Sequence, residues 1–289
     1  MNRKLESSLA HALGAKVRRT RSISGGDIND AWAFELADGR SVFVKSNETA
    51  DRTMFAREAD GLRWLEQAHA LRVPEVLGVS RGEDGAPPWL ALELVDRGSP
   101  GRDHDERLGR GLADLHRFGA PSFGLDHDNF IGRLPQRNTP CATWPELYRS
   151  RRLEPQLRRA TDAGLATGRM QRAMDSLFAR LEVLVGPPEP PSRLHGDLWG
   201  GNCFADASGA PVLIDPAVYG GHREVDLAMM RLFGGFSERV FAAYREQWPL
   251  PDGHEHRVAL YQLYPLLVHV NLFGAGYVGA VERALAELG

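Results

Sequence analysis

The sequence predicts an α+β protein with two unequal parts, a small β-rich part and a larger, mostly helical part. In the first part apolar and polar residues alternate, as in half-buried strands, and an Asp-Gly pair at 38–39 favours a hairpin turn. From Pro100 onward, apolar residues recur mainly at helical spacing. We therefore expect one domain over residues 1–95 and a second over residues 96–289.

The small part is expected to form an antiparallel sheet that carries one main helix. Its first three strands are predicted near residues 16–23, 31–36 and 41–46. A helix follows, because the next apolar residues share one face at helical spacing. These residues are Met54, Phe55, Ala59, Leu62 and Leu65. Beyond Pro74, the apolar stretches EVLGVS and PWLALELV predict two more strands.

The larger part is predicted to be helical apart from two segments. One helix ends at Gly119, and the others are expected over residues 144–164, 168–185, 223–232, 237–248 and 254–285. Segment 119–145 is rich in Pro, Gly, Asp and Asn and predicts a long irregular excursion. The second segment contains a glycine-rich loop and the short apolar strand PVLID. The basic run at 149–159 is expected to decorate a solvated helix face.

Composition and charge exclude several classes of protein. The chain has 289 residues, of which 43% are hydrophobic and 25% charged, as in ordinary globular proteins. A net charge of −3 argues against nucleic acid or an anionic membrane as the main partner. No signal-peptide core and no run of about 18 apolar residues is present. Cys141 and Cys203 are too few for a disulfide framework. We expect a cytoplasmic protein, of unknown oligomeric state.

The first candidate site residues lie in the small part. Gly25 and Gly26 stand between two predicted strands, where backbone N–H groups can cradle phosphate oxygens, although a turn without a ligand also fits. Lys45 lies in an apolar strand, where a buried ammonium is costly unless it is paired. Glu58, on or beside the apolar stripe of the helix, can supply that partner. The alternative for both charged residues is a solvated position.

The stretch RLHGDLWGGNCF, residues 193–204, holds an acid and an amide in pliable backbone. Asp197 can accept a proton from an attacking hydroxyl, and Asn202 can offer its amide oxygen to Mg²⁺. Asp215, at the end of a short apolar strand, can supply the second oxygen ligand. The alternatives are a glycine-rich turn with a capping Asp and, for Asp215, a simple cap. We expect His195 to be structural rather than a general base.

The order of these elements is more informative than each element alone. A glycine loop, a strand Lys, a helix Glu, an Asp-x4-Asn pair and a strand-end Asp follow one another as in phosphoryl-transfer enzymes of the protein-kinase type. Coincidence across five elements is improbable. The sequence thus predicts that the acid and the amide of the loop face the γ-phosphate of ATP, with Mg²⁺ as the second cofactor.

These motifs together resemble those of the fructosamine (ketosamine) kinases, a family in the aminoglycoside-phosphotransferase- and choline-kinase-like branch of the protein-kinase-like fold. The resemblance covers nearly the whole chain. It is carried by GGDINDAW, VFVK, FAREADGLRWL, LADLHR, FGLDHDNFIGRLPQRN, HGDLWGGN, DPAVYGGHREVDLAM and LYPLLVHVNLFG. Generic small-molecule kinases share only HGD with a later Asp. The resemblance implies a two-lobed fold and phosphorylation by ATP of a sugar hydroxyl, typically O3 of a fructosamine or ribulosamine.

The resemblance also implies roles for individual residues. Asp197 matches the catalytic base, and Asn202 with Asp215 matches the metal ligands. Lys45 matches the lysine that binds phosphate, and Glu58 matches its ion-pair partner.

Four further positions are implied by the same match. Glu93, Leu94 and Val95 match the hinge whose backbone bonds the adenine edge, and Asp226 matches an acid that supports the catalytic loop. Asp27 departs from expectation, because a carboxylate pointing into a phosphate-covering loop would repel the nucleotide; we expect it to face solvent.

The acceptor side of the site is the least explicit in the sequence. Trp199 follows the predicted base by two residues, where its ring can lie against a sugar, although a buried aromatic anchoring the loop fits equally. His269 and Asn271 are expected to be satisfied core residues, with a place beside the acceptor as the alternative. Two rival functions remain, an aminoglycoside, choline or homoserine kinase, and a nucleotide-binding pseudokinase.

Overall fold

The computed structural model describes residues 3–23 and 29–289 of the chain. Its first layer is an antiparallel sheet of five strands in the order β1-β2-β3-β5-β4. The strands are β1 Val17–Ser22, β2 Asp30–Leu36, β3 Ser41–Ser46, β4 Val76–Ser80 and β5 Trp89–Glu93. The turn before β3 uses Gly39 at φ 89°, a left-handed conformation that glycine adopts without strain. The five predicted strands are confirmed.

Two helices cover the opposite faces of this sheet. The predicted helix is α2, Met54–Glu66, and its buried Phe55 and Leu62 pack against Leu90 and Leu92 of β5. A second helix, α1 at Arg3–Leu13, was not predicted. The leucines at positions 5, 9 and 13 of α1 are buried against the other face of the sheet, and this i, i+4, i+8 spacing was the available signal.

The remainder of the chain is mainly helical. Its helices are α3 His104–Phe118, α4 Trp144–Leu147, α5 Glu154–Asp162, α6 Gly168–Leu184, α7 Glu224–Leu232, α8 Glu238–Gln247, α9 His254–Phe273 and α10 Val278–Glu287. Short strands form three antiparallel pairs, β6 Asn129–Ile131 with β7 Leu134–Gln136, β8 Ser192–Leu194 with β11 Tyr219–Gly221, and β9 Cys203–Ala205 with β10 Pro211–Leu213. An antiparallel sheet followed by a helical part is the predicted α+β class.

Three details of the prediction are wrong. The helix expected over 254–285 is interrupted at Gly274, whose φ is 87°, so α9 and α10 are separate. The excursion at 119–145 contains the β6–β7 hairpin and is not irregular throughout. The basic run at 149–159 is only partly solvated, because Arg152 is fully buried within a π-helical turn, Tyr148–Leu153. The sequence pattern does not distinguish this buried arginine from its charged neighbours, which do lie at the surface.

Within the described part of the chain, no helix is both long enough and apolar enough to cross a membrane.

Candidate active site

Two short strand pairs bring the candidate catalytic residues together. Asp197 and Asn202 lie in the loop between β8 and β9, and Asp215 lies just beyond β10. Pairing of β9 with β10 brings the two ends of this segment side by side, and Ile214 N donates to the Asn202 carbonyl at 3.0 Å. The loop of the acid and the amide therefore meets the strand-end aspartate, although 13 residues separate Asn202 from Asp215.

Asp197 and Asn202 are joined directly. The Asn202 amide nitrogen donates to the Asp197 backbone carbonyl at 2.9 Å and to its Oδ2 at 3.2 Å. Burial raises the pKa of the Asp197 carboxyl to about 7, with a further contribution from the negative charge of Asp215, against the lowering effect of Asn202. A carboxyl that titrates near neutral pH is matched to proton transfer at that pH.

Lys45 connects the sheet to this loop. It is 8% exposed, and its Nζ donates to Glu58 Oε1 at 2.8 Å and also to Asp215 Oδ1. Burial acts to lower the pKa of Lys45, but the charges of Asp215 and Glu58 outweigh it and raise the pKa above its ordinary value. The ammonium therefore stays charged. The solvated alternatives for Lys45 and Glu58 are wrong, because both side chains are largely buried.

Asp215 has an unusual backbone. Its φ is 56°, in the left-handed region that residues other than glycine rarely adopt. Such conformations cost about 1–3 kcal/mol and persist where the surroundings fix them, often at functional sites. Its side chain is 40% exposed, so one face of the carboxylate is held by Lys45 while the other remains accessible.

A buried acid fixes the backbone of the loop that carries Asp197. Asp226 accepts hydrogen bonds from the backbone N–H of His195 at 2.7 Å and of Gly196 at 2.9 Å, and His116 Nε2 lies 3.2 Å from it. Burial acts to raise the pKa of Asp226, but these hydrogen bonds and the nearby histidines hold it below its usual range. Gly196 has φ 83°, and a Cβ there would meet the Ala217 carbonyl at 2.1 Å, so glycine is required.

His195 is structural, as the sequence predicts. Its Nε2 lies 3.0 Å from the Ile214 carbonyl oxygen, and its Nδ1 accepts from the Asp197 N–H at 3.3 Å. Burial lowers its pKa, which favours the neutral ring that these two bonds require. The imidazole thus bridges the loop of Asp197 to the strand that ends at Asp215.

Trp199 is 42% exposed, so the interpretation as a buried core anchor is wrong. Its ring contacts Phe233 edge-on, with 6.4 Å between ring centroids, and Phe233 lies 4.6 Å from His269. His269 in turn contacts Phe273 at 5.3 Å and Tyr277 at 5.0 Å. We call these five residues the aromatic row. Sequence reasoning missed Phe233, Phe273 and Tyr277, and it did not predict the break at Gly274 that precedes Tyr277.

Asn271, on the same helix as His269, makes hydrogen bonds to a neighbouring helix. Its amide nitrogen donates to the backbone carbonyl and to Oε1 of Gln156, at 2.9 and 2.7 Å. It is therefore a half-buried contact between α9 and α5, and the expectation of a satisfied core residue holds for its nitrogen but not for its Oδ1, which is buried without a hydrogen-bond partner among the described residues.

The predicted hinge lies where β5 ends. Glu93 is the last paired residue of β5, and Leu94 and Val95 lie beyond it. The Glu93 N–H donates to the Glu75 carbonyl at 2.9 Å, and its carboxylate forms an ion pair with Arg72 at 2.5 Å. Backbone groups after β5 are therefore free of the sheet ladder. Gly25, Gly26 and Asp27 of the predicted glycine loop lie outside the described residues.

The donor set fits a magnesium ion. Because Asn202 commits its nitrogen to Asp197, its amide oxygen is turned the other way, and among the described residues that oxygen accepts no hydrogen bond. Asp215 adds a partly exposed carboxylate. No cluster of three or more His, Cys, Asp or Glu occurs in residues 3–23 and 29–289, so a cation here would have two protein ligands. Mg²⁺ accepts so few because it keeps several waters and shares phosphate oxygens.

The architecture is the aminoglycoside-phosphotransferase-like branch of the protein-kinase fold. The aminoglycoside phosphotransferase APH(4)-Ia has the same fold, with a TM-score of 0.62 over 97% of this chain and 98% of that chain, at 16% identity.

Closer comparisons identify the family. The profile of the fructosamine kinase family matches residues 1–288. A Thermobifida fusca crystal structure, provisionally named a fructosamine-3-kinase, is 40% identical and covers 99% of each chain, with a TM-score of 0.91. The protein-ribulosamine 3-kinase of Arabidopsis thaliana is 36% identical over 93% of this chain and 82% of its own length. The chain belongs to the fructosamine kinase family.

Proposed function

We propose that this protein transfers the γ-phosphate of ATP to a sugar hydroxyl of a ketosamine, at O3 of a fructosamine or ribulosamine. The observation that carries the proposal is the convergence of Lys45, Asp197, Asn202 and Asp215 on one point, although Lys45 and Asp215 are 170 residues apart. Each of these four residues retains the charge or the donor group that phosphoryl transfer requires, and this disfavours a pseudokinase.

The two cofactors follow from the site. The aminoglycoside phosphotransferase that shares the fold was solved with ADP and hygromycin B, which supports a nucleotide in this fold. We propose that ATP lies between domains 1–95 and 96–289, with adenine at residues 93–95 and its phosphates near Lys45, Gly25 and Gly26. Asn202 and Asp215 would hold Mg²⁺, which when bound offsets the negative charge of the phosphates.

Asp197 is the proposed base. Its Oδ2 is held by Asn202, so Oδ1 is left for the acceptor hydroxyl. In the proposed step the hydroxyl oxygen bonds to the γ-phosphorus, the bond to the β-phosphate oxygen breaks, the hydroxyl proton passes to Asp197, and ADP leaves. Lys45 stabilises the phosphate charge, while Glu58 and Asp226 keep Lys45 and the loop in place.

The acceptor is proposed to lie against the aromatic row. Trp199 is exposed beside Asp197 in the chain, and the flat apolar face of an indole suits the C–H surface of a sugar. The names of the relatives, a ribulosamine kinase and a provisional fructosamine kinase, support a ketosamine as this acceptor.

A panel of acceptors tests the proposal. Release of ADP would be followed with a fructosamine, a ribulosamine, an aminoglycoside and choline, with the Asp197→Asn variant as the control. We expect turnover with the ketosamines alone, and none with the variant. Turnover with choline or an aminoglycoside but not with a ketosamine would contradict the proposal.

A further inference from the structure

Three buried amide side chains in the segment before α4 form a hydrogen-bonded cluster. None of them belongs to the proposed active-site residues. They are Asn129, Gln136 and Asn138, which are 4%, 2% and 0% exposed. We call them the amide network. Burying an amide is costly unless its donors and acceptor are all bonded. Three such groups in one short hairpin point to a specific purpose for the bonds that they make.

The network ends on the backbone that follows Asp215. Gln136 Nε2 donates to the Ala217 carbonyl at 3.0 Å, and Asn129 Nδ2 donates to the Val218 carbonyl at 2.8 Å. Both Gln136 and Asn138 donate to Asn129 Oδ1 at 2.8 Å, so the three amides act as one unit. Two consecutive carbonyls are therefore fixed by side chains from a distant hairpin.

The far side of the network is anchored to two other elements. Tyr264 of α9 donates its hydroxyl to Gln136 Oε1 at 2.7 Å. Arg152, in the π-helical turn, donates to Asn138 Oδ1 at 2.7 Å, and its guanidinium stacks 3.8 Å from the centroid of the Tyr219 ring. This bond accounts for part of the hydrogen bonding of a fully buried arginine, and single π-helical turns often mark functional positions.

We infer that the amide network positions Asp215. The left-handed backbone of Asp215 needs surroundings that fix it, and only Pro216 separates it from Ala217. The Ala217 N–H already donates to the His195 carbonyl at 2.9 Å, so the network fixes the remaining polar group of that residue. Gln136 is thus a positioning residue that acts on the metal-binding carboxylate through two residues of backbone. This inference rests on the proposed function.

The test compares two buried glutamines. Gln136→Met keeps the length of the side chain but removes both donor bonds. Gln156→Met is the matched control, because Gln156 is 5% exposed and bonds to Asn271, and among the described residues its side chain has no hydrogen bond to the 215–218 segment. Calorimetry would measure the affinity for a non-hydrolysable ATP analogue with and without Mg²⁺, beside the thermal midpoint and the Mg²⁺ concentration for half-maximal turnover.

We expect both variants to lower the thermal midpoint. Only Gln136→Met should lose the gain in nucleotide affinity that Mg²⁺ provides, by about 10-fold, which is typical when a partner of a metal ligand is removed. Its affinity without Mg²⁺ should be unchanged. A Gln136→Met protein whose Mg²⁺ dependence matches that of Gln156→Met would overturn the inference.

Two further outcomes are decided by the same measurements. If Gln136→Met does not fold, Tyr264→Phe replaces it, because it removes one hydroxyl from the same glutamine. A smaller loss in the same direction, roughly 3-fold, supports the inference, and no loss overturns it. If the nucleotide affinity of the unmodified protein does not depend on Mg²⁺, both the proposed function and the inference fail. If that affinity depends on Mg²⁺ and the variants show the same dependence, the inference alone fails.

Discussion

Asp197 combines a negative charge with a setting that disfavours it. The carboxyl is largely buried and lies near Asp215, while its hydrogen bond from Asn202 offers only partial compensation. Its pKa of about 7 therefore means that ionising this carboxyl in the folded protein costs electrostatic free energy. Active sites often carry such a cost, because the same charge that destabilises the free protein becomes useful when a hydroxyl must lose a proton.

This cost predicts a pH-dependent stabilisation by Asp197→Asn. The folded pKa of about 7 lies above the ordinary aspartate value of 3.8, so between these pH values only the unfolded chain releases the proton. Stability of the unmodified protein is therefore lost as the pH rises, by up to about 4 kcal/mol. Denaturant unfolding should show the variant more stable at pH 8, with the gap closing near pH 4. If the difference in stability between the variant and the unmodified protein were equal at both pH values, ionisation of Asp197 would not be its cause.

The two proposed metal ligands should differ in importance. A carboxylate neutralises Mg²⁺ and an amide does not, so Asp215→Ala should raise the Mg²⁺ requirement more than Asn202→Ala. A Mg²⁺ titration of turnover measures both, and the folded content of each variant is checked by circular dichroism. The reverse order would show that the ligand roles are assigned wrongly.

At the level of elements, the break between α9 and α10 shapes the aromatic row, where we propose that the acceptor lies. Gly274 ends α9, and the short 3₁₀ turn Ala275–Tyr277 sets Tyr277 against His269. Burial lowers the pKa of His269, which favours a neutral ring at the centre of the aromatic row. The aromatic row thus depends on a helix end that the apolar pattern of the sequence conceals.

Trp199→Ala should damage use of the ketosamine while sparing ATP. Loss of one indole face, about 1–3 kcal/mol, corresponds to roughly a 5- to 150-fold decrease in kcat/KM for the sugar. Trp248→Ala is the control, because this tryptophan stacks on Arg117 and Arg223 outside the site. It should lower the thermal midpoint without selective loss for either substrate. If Trp199→Ala behaves in the same way, Trp199 is scaffold only.

At the level of the whole molecule, ion pairs tie the sheet to the helical part. Lys45 bonds Asp215, and Arg72, which precedes β4, pairs with Asp206 after β9 at 2.5 Å. The ammonium of Lys45 also faces Glu58, so one cation satisfies two carboxylates in a largely buried position. Removing that cation leaves the largely buried carboxylate of Glu58 without a charged partner, whereas that of Asp215 is partly exposed to solvent.

Lys45→Met should therefore destabilise the fold as well as abolish transfer. Breaking one partner of a buried pair costs about 3 kcal/mol, since the remaining charge stays buried. The double variant Lys45→Met, Glu58→Gln should recover part of this loss, because the unpaired carboxylate is gone. Guanidinium unfolding measures both proteins. A double variant that is no more stable than the single one would mean that the pair contributes little.

The candidate site residues could be singled out from the sequence because each has a local signature and their order repeats a known chemistry, and the structure brings them together. Lys45 and Asp197 stand out even though the contacts between distant residues were invisible. The buried residues that hold the site in place were harder to predict. Arg152 was hidden in a basic run, and the amides at 129, 136 and 138 lie in a segment whose Pro and Gly content predicts only loops. Buried polar networks depend on tertiary partners, which no local pattern encodes.

Phosphorus NMR of a single reaction tests the central claim most directly. The protein is incubated with ATP, Mg²⁺ and a fructosamine, and the products are compared with those of Asp197→Asn. We expect a sugar-phosphate ester coupled to the proton at C3, and a rate about 10²- to 10⁴-fold lower for a variant that still binds ATP. An ester at another carbon, no ester at all, or a variant that keeps more than about a tenth of the rate would contradict the account.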